Sequence, residues 1–180
     1  TVVEVAQLTP SDASDTLGHG FGDSAAIEDD WIAVGAERDS QVDHSSGAVY
    51  LFRRDGSGWV EHVKLVPDDG AWEGFFGGSL AMNRDRLVVG ASVNGSTEEG
   101  PRLGYVFARD DNGTPCDLSD DRWVQESKLL IPAELLPSLP CCCCGGASGV
   151  GVSGDRIVIG AGRATYLGFV GFAAIFERVS

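Results

Sequence analysis

Four consecutive cysteines, Cys141 to Cys144, are the first residues in this chain whose chemistry could be specific; His19, His44 and His62 and several aspartate-rich segments come next. Thiolates and imidazoles together would point to zinc. Tetrahedral zinc is wrapped by C-x2-C pairs, however, and a run of adjacent thiols does not supply them. Cys116 lies before the strand-like segment 123–130 and the cysteine run lies beyond it. An extended segment separates them by roughly 25 Å, so a disulfide is not expected unless IPAELLPSLP folds back. The run reads as low-complexity sequence. No histidine stands in a recognisable arrangement with serine or cysteine, and GASGV around Ser148 fails the G-x-S-x-G elbow of a nucleophile. Asp39 and Asp43, or Asp110, Asp111 and Asp117, could gather a hard cation, but solvated acidic loops are the simpler expectation. DRIVIGAGRATYLG imitates a dinucleotide fingerprint through Gly160-x-Gly162 and Glu177. Thr165 occupies the third glycine's place and the interval to the next strand is too short for a βαβ unit. The expectation is therefore no catalytic residue, no cofactor and no metal, with the binding residues left open.

The elements that position these residues come from a repeat. FGDSAAIEDDWIAVGA at 21–36, FGGSLAMNRDRLVVGA at 76–91 and GASGVGVSGDRIVIGA at 146–161 align without gaps. A second anchor follows each: GAVYLF at 47–52, RLGYVF at 102–107 and GFAAIF at 171–176. The third is WVEHVKL at 59–65 and WVQESKL at 123–129, with VVEVAQL at 2–8 as its counterpart near the start. Recurrence in order indicates duplication. IAVG, LVVG and IVIG are short β-branched or leucine-rich runs bounded by turn residues, which predicts strands. Glu28-Asp29, Asn83-Arg84 and Ser153-Gly154 predict tight hairpin turns, each pair holding a residue that tolerates positive φ. In WVEHVKL, Trp59, Glu61, Val63 and Leu65 are expected on one face and Val60, His62, Lys64 and Val66 on the other. Gly22 and Gly77 at the start of the FG strand, and Gly35, Gly90 and Gly160 at the end of the GA strand, are expected where neighbouring sheets approach.

These anchors resemble FG-GAP repeats, the blades of integrin-α-like β-propellers. The resemblance implies an all-β fold of antiparallel four-stranded blades, with the FG strand innermost and the GA, YVF and KL strands following outward. It covers most of the chain and is weakest in the third copy, where Gly146-Ala147 replaces Phe-Gly. As repeats, 1–180 forms one domain: about 1–52, about 53–107, an insertion at 108–122, and a degenerate third copy at about 123–178. On this phasing 2–8 is an opening KL strand able to complete the last blade. Three blades are too few for a closed propeller, which takes roughly four to eight. An incomplete or open ring, a pair of chains, or a threefold β-trefoil or β-prism are the alternatives. The family's calcium loops do not carry over, because the turns at 28–30 and 83–85 are too short to wrap the ion.

Successive connections in such blades leave from opposite ends. The long connections 9–20, 66–75 and 131–145, together with 37–46, 92–101 and 162–170, are expected at one end, which is the expected binding face. A net charge of −14 with only two lysines, Lys64 and Lys128, argues against nucleic acid and anionic membranes, and no apolar run is long enough to span a bilayer. The chain starts at Thr1 without methionine, as a processed, trimmed or partial chain would. The sequons Asn94-Gly95-Ser96 and Asn112-Gly113-Thr114 fit secretion. The reading is a non-enzymatic binding or structural module, extracellular or cell-surface, that presents loops to a protein or glycan, with self-association or missing blades completing it. An accessory domain of a secreted hydrolase or lyase is the second reading, and calcium-dependent adhesion the third.

Overall fold

In the computed structural model the described residues are 1–12, 20–69, 74–91, 102–130, 147–165 and 168–178. Among them are eleven strands and no helix: β1 (Phe21–Glu28), β2 (Trp31–Ala36), β3 (Ala48–Asp55), β4 (Gly58–Leu65), β5 (Ser79–Asn83), β6 (Arg86–Gly90), β7 (Arg102–Asp110), β8 (Arg122–Leu130), β9 (Ala147–Ser153), β10 (Arg156–Thr165) and β11 (Gly168–Glu177). They form antiparallel sheets ordered β1-β2-β3-β4, β5-β6-β7-β8 and β11-β10-β9. The expected all-β, propeller-like blades are present, and none closes into a barrel. The inner strands β1, β5 and β9 lie in succession against one another.

Hairpin chemistry sets the registers. Asp29 and Gly154 take the positive φ expected of their turns, 49° and 57°. The middle turn works differently: the Asn83 side-chain oxygen accepts the N–H groups of Asp85 and Arg86 at 3.1 and 2.9 Å. One bond, repeated in all three copies, closes the same end of each blade. The N–H of Arg54, Arg109 or Arg178 donates to the carbonyl of Asp30, Asp85 or Asp155 at 2.8, 2.9 and 3.1 Å.

Three expectations are corrected. Residues 2–8 pair with no strand; Val2, Val3 and Val5 are exposed, and only Leu8 packs, against blade 1. The loop expected at 162–170 is mostly strand, because its β-prone residues extend the β10–β11 pairing as far as Thr165↔Gly168. The faces of the KL strand also differ from simple alternation. Pairing steps from Leu51↔Val63 to Phe52↔Glu61, so His62 is an extra residue in the ladder. The resulting bulge turns Trp59 to one face of blade 1 while Val63 and Leu65 pack on the other. Blade 2 repeats the device: the step from Val106↔Ser127 to Phe107↔Gln125 leaves Glu126 unpaired in register.

The faces then stack. Trp31, Ala33, Val49 and Leu51 of blade 1 share one buried cluster with Phe76, Leu87, Val89 and Phe107 of blade 2. Val88, Val106 and Leu129 on the opposite face of blade 2 meet Ile157 and Ile159 of blade 3. Close approach requires glycine at Gly35, Gly77 and Gly90, whereas a Cβ at Gly22, also expected at a contact, would meet nothing within 4 Å because that residue lies on the uncovered side of blade 1. A Cβ at Gly35 would strike the Gly77 carbonyl oxygen and the Ser24 hydroxyl; one at Gly90 would meet the Ala147 Cβ at 2.9 Å. Ser24 Oγ also donates to Gly77 O at 2.6 Å, and Ser79 Oγ to Ala147 O at 3.3 Å, tying adjacent inner strands. Ser24→Ala is expected to lower stability by about 1 kcal/mol, read from the urea midpoint.

Candidate functional site

In blades 1 and 2 the end from which the long connections emerge is built around one lysine each. Lys64 near the end of β4 lies beside Tyr50 on β3 because the two residues are register partners. The Lys64 ammonium donates to Asp12 Oδ2 at 2.7 Å, Asp39 Oδ2 at 2.8 Å and Gln41 Oε1 at 2.7 Å, and sits 5.0 Å from the centre of the Tyr50 ring. The Tyr50 hydroxyl donates to Asp12 Oδ1 at 2.7 Å and approaches Asp39 Oδ2 at 3.2 Å. Burial would lower the lysine's pKa, but the hydrogen bonds to Asp12 and Asp39 outweigh it and hold the pKa above the ordinary lysine value. Burial, with the bond to Asp12, raises the Tyr50 pKa above the usual phenol range. For Asp12, the bonds from Lys64 and Tyr50 overcome desolvation and lower the pKa.

Blade 2 repeats this clamp. Lys128 pairs with Asp69 at 2.9 Å and Asp68 at 3.0 Å, and Tyr105 donates to Asp69 at 2.8 Å. In each case the aspartate comes from the connection that enters the blade, Pro10-Ser11-Asp12 or Pro67-Asp68-Asp69. That connection also runs along the blade's outer strand: Ser11 N–H donates to Glu61 at 2.7 Å, and Asp68 N–H to Gln125 at 3.4 Å. Sequence reasoning missed this device. Its signals were the P-x-D spacing after each KL segment and the fact that the chain's two lysines occupy equivalent repeat positions.

The clamp fixes the loop between β2 and β3. Asp39 is buried beneath it, accepts the Gln41 N–H at 3.0 Å, and accepts Gly47 N–H on its own carbonyl at 2.9 Å, which brings the loop's ends together. Ser46, fully buried, receives Asp43 N–H at 3.3 Å and donates to Asp39 O at 3.4 Å. Phe75 and Phe76 N–H donate to the carbonyls of Ser45 and Ser46, joining the loop to blade 2. What faces outward is Gln41, Val42 and His44. This is a compact, preorganised loop whose side-chain polar groups are largely committed beneath it and whose tip is exposed.

The other residues singled out from sequence fall elsewhere. His62 lies between blades, its ring 5.0 Å from that of Trp31 and its Nε2 2.9 Å from Asp121 O. Asp39 and Asp43 sit in the same loop, but Asp39 serves the clamp and Asp43 accepts the His44 N–H. Asp110, Asp111 and Asp117 lie at the opposite end of the blades, where each carboxylate accepts a backbone N–H two residues on, from Asn112, Gly113 and Ser119. Cys116 is exposed there. Ser148 falls within β9, and Gly160, Gly162 and Glu177 lie in the β10–β11 hairpin rather than in a strand–helix unit. Cys141 to Cys144, His19 and Asn94-Gly95-Ser96 lie outside the described residues. Among the described residues no group of three or more histidine, cysteine, aspartate or glutamate side chains is arranged to hold a metal ion.

Sheets of this order, stacked through glycine and small residues with their long loops at one end, define an open array of propeller-type blades. The FG-GAP repeat model matches residues 2–52 and 59–107, more than half the chain, and the protein belongs to the FG-GAP repeat family. No curated protein matches it. Repeats of this family are typically protein-binding or structural modules and are generally non-catalytic. No helix among the described residues is long and apolar enough to cross a membrane.

Proposed function

We propose that the chain is a non-enzymatic recognition module that uses the loop face, centred on Gln41, Val42 and His44, to bind a protein or glycan outside the cell or at its surface. The observation that carries this reading is the loop 39–47, held rigid by Asp39, Ser46 and the Lys64 clamp while its tip stays exposed. A loop fixed before binding loses little entropy on contact, and Val42 with His44 offers an apolar and a polar contact side by side. Family membership supports the general class, since FG-GAP repeats typically occur in extracellular or cell-surface proteins. The sequon Asn112-Gly113-Thr114 lies at the far end of the blades in an exposed turn, where a glycan would leave the loop face clear.

The test is a screen of an immobilised glycan array and a displayed extracellular peptide library with the chain and with its Val42→Asp/His44→Ala variant. Specific signals that fall about tenfold or more in the variant are the expected result. Absence of specific signals, or signals indifferent to both substitutions, would count against this face.

A further inference from the structure

Among the described residues, blades 1 and 2 have four strands each, whereas blade 3 has three with β11 at its edge. In blade 2, the outer strand β8 closes the gap to blade 1 with Trp123, whose ring lies 5.4 Å from Trp31. The corresponding place between blades 2 and 3 is a groove of about 450 Å³, floored by Leu129, Ile157 and Phe176 and flanked by Arg86, Glu126 and Arg178. By repeat register these are the surroundings of Trp123: Arg86 stands where Trp31 stands, Glu126 where His62 stands, and Phe176 where Phe107 stands. The groove therefore has the position of a missing outer strand.

The outward face of blade 3 is open as well. Val158 and Ile175 are register partners, 43% and 75% exposed, while the equivalent pairs are buried: Ala33 and Leu51 at 0%, Val88 and Val106 at 0% and 2%. The complementary surface is the outward face of blade 1, where Ile27 is 65% exposed although its counterpart Met82 is only 9% exposed. Beside that face lies residue Leu8. It packs on blade 1 as Leu65, its repeat equivalent, packs on blade 2, and Asp12 clamps blade 1 as Asp69 clamps blade 2. The N-terminal segment thus occupies the place of the outer strand of a blade preceding blade 1. Its residues Val2, Val3 and Val5 join no strand among the described residues and are 99%, 68% and 87% exposed.

The geometry points to a second copy of this chain as the occupant: residues 2–8 of one copy add to β11 of the other, whose blade 3 stacks on blade 1 of the first. By the registers of blades 1 and 2, Gln7 pairs with Ala174, Ala6 with Ile175 and Glu4 with Phe176, and Val5 takes the bulge held by His62 and Glu126. Val2 then faces the groove. Charge fits the same docking. Arg86 reaches from blade 2 to Asp155 in the turn of blade 3 at 3.1 Å. Arg156, its equivalent, pairs at 3.2 Å with its cross-strand neighbour Glu177, and in the dimer it faces Asp30, the turn residue equivalent to Asp155. A contact of one surface with a different one closes if the rotation suits, and two copies reach the roughly four to eight blades at which propellers close. The added strand supplies main-chain hydrogen bonds and the groove supplies selectivity.

The experiment is solution mass by light scattering on the 180-residue chain, its deletion of residues 1–7, Arg156→Asp, and Arg156→Asp with Asp30→Arg. The expected result is a mass of twice 18.9 kDa for the chain, a folded monomer for the deletion, dimer affinity about tenfold weaker for Arg156→Asp, and recovery in the charge-swapped pair. Circular dichroism checks that strand content survives each change. A monomer at every concentration overturns the inference, whether residues 2–8 stay exposed or pair within their own chain. A dimer indifferent to both the deletion and the charge swap overturns it too, because association then uses another surface. Loss of loop-face binding with the dimer intact would touch only the proposed function.

Discussion

Gly35→Val is expected to destabilise the protein by about 3 kcal/mol or more, the largest effect of any single substitution considered. Gly35 is the penultimate residue of β2, where the side of blade 1 meets the inner strand of blade 2. The obstacle to a side chain there is the backbone carbonyl of Gly77, which is itself held at a positive φ of 95°. A backbone oxygen cannot rotate away as a flexible side chain can. Blade 2 would have to move outward, opening the cluster that contains Trp31, Leu51, Phe76 and Leu87. Gly149→Ala is the control. Gly149 is also in a strand, but a Cβ there meets nothing within 4 Å, so the change should be neutral or slightly stabilising. Urea unfolding of the two variants, followed by tryptophan fluorescence, separates a steric effect from a general dislike of replacing glycine.

Lys64→Met ranks second, at about 2–3 kcal/mol at neutral pH. The figure lies between those for exposed and fully buried ion pairs, since Asp39 is buried and Asp12 is partly exposed. The substitution keeps much of the aliphatic stem and removes the charge that joins Asp12, Asp39 and Gln41. Its pH dependence has a defined sign. The raised pKa of Lys64 means that its stabilisation is fully present below the unfolded lysine value of about 10.4 and disappears as pH rises through the folded value. The lowered pKa of Asp12 means that its share is present above about 3.9 and disappears as pH falls through the folded value. The stability gap between the chain and the variant should therefore be widest between about pH 5 and 10, narrowing in acid below about 4 and in alkali above about 10.4. A gap that narrows neither as pH falls below about 4 nor as it rises above about 10.4 would show that lost packing, not charge, was responsible.

Much of the fold was legible because duplication writes the same constraint more than once. Gly35 and Gly90 recur at the end of equivalent strands, and the only economical reason to forbid a side chain twice at one register is a neighbour on that side. The hairpin turns were legible for the same reason, although Asn83 reaches its turn through its side chain rather than by a left-handed backbone. Long-range polar pairing was harder to see. Lys64, Asp12 and Asp39 are far apart in sequence, and nothing local at any of them announces the other two; comparison with Lys128 and Asp69 was the available clue. The KL strand misled through His62, because a single bulge reverses the facing of every residue beyond it and alternation carries no mark of where that happens. Residues 2–8 have the composition of a strand, but composition cannot supply the neighbouring edge that a strand needs. The repeat F-x-R, at Phe52 to Arg54, Phe107 to Arg109 and Phe176 to Arg178, was present in all three copies, and its backbone role emerged only with the turns in place.

The clamps also have a direction in time. Asp12 leaves the ribosome before Tyr50 and Lys64, and Asp69 before Tyr105 and Lys128, so each acidic partner is already waiting when the last strand of its sheet emerges. The first two sheets can thus lock during synthesis, one after the other, without waiting for downstream chain. Ala174 stands at the tyrosine's position in the third, which must rely on its neighbours to hold it.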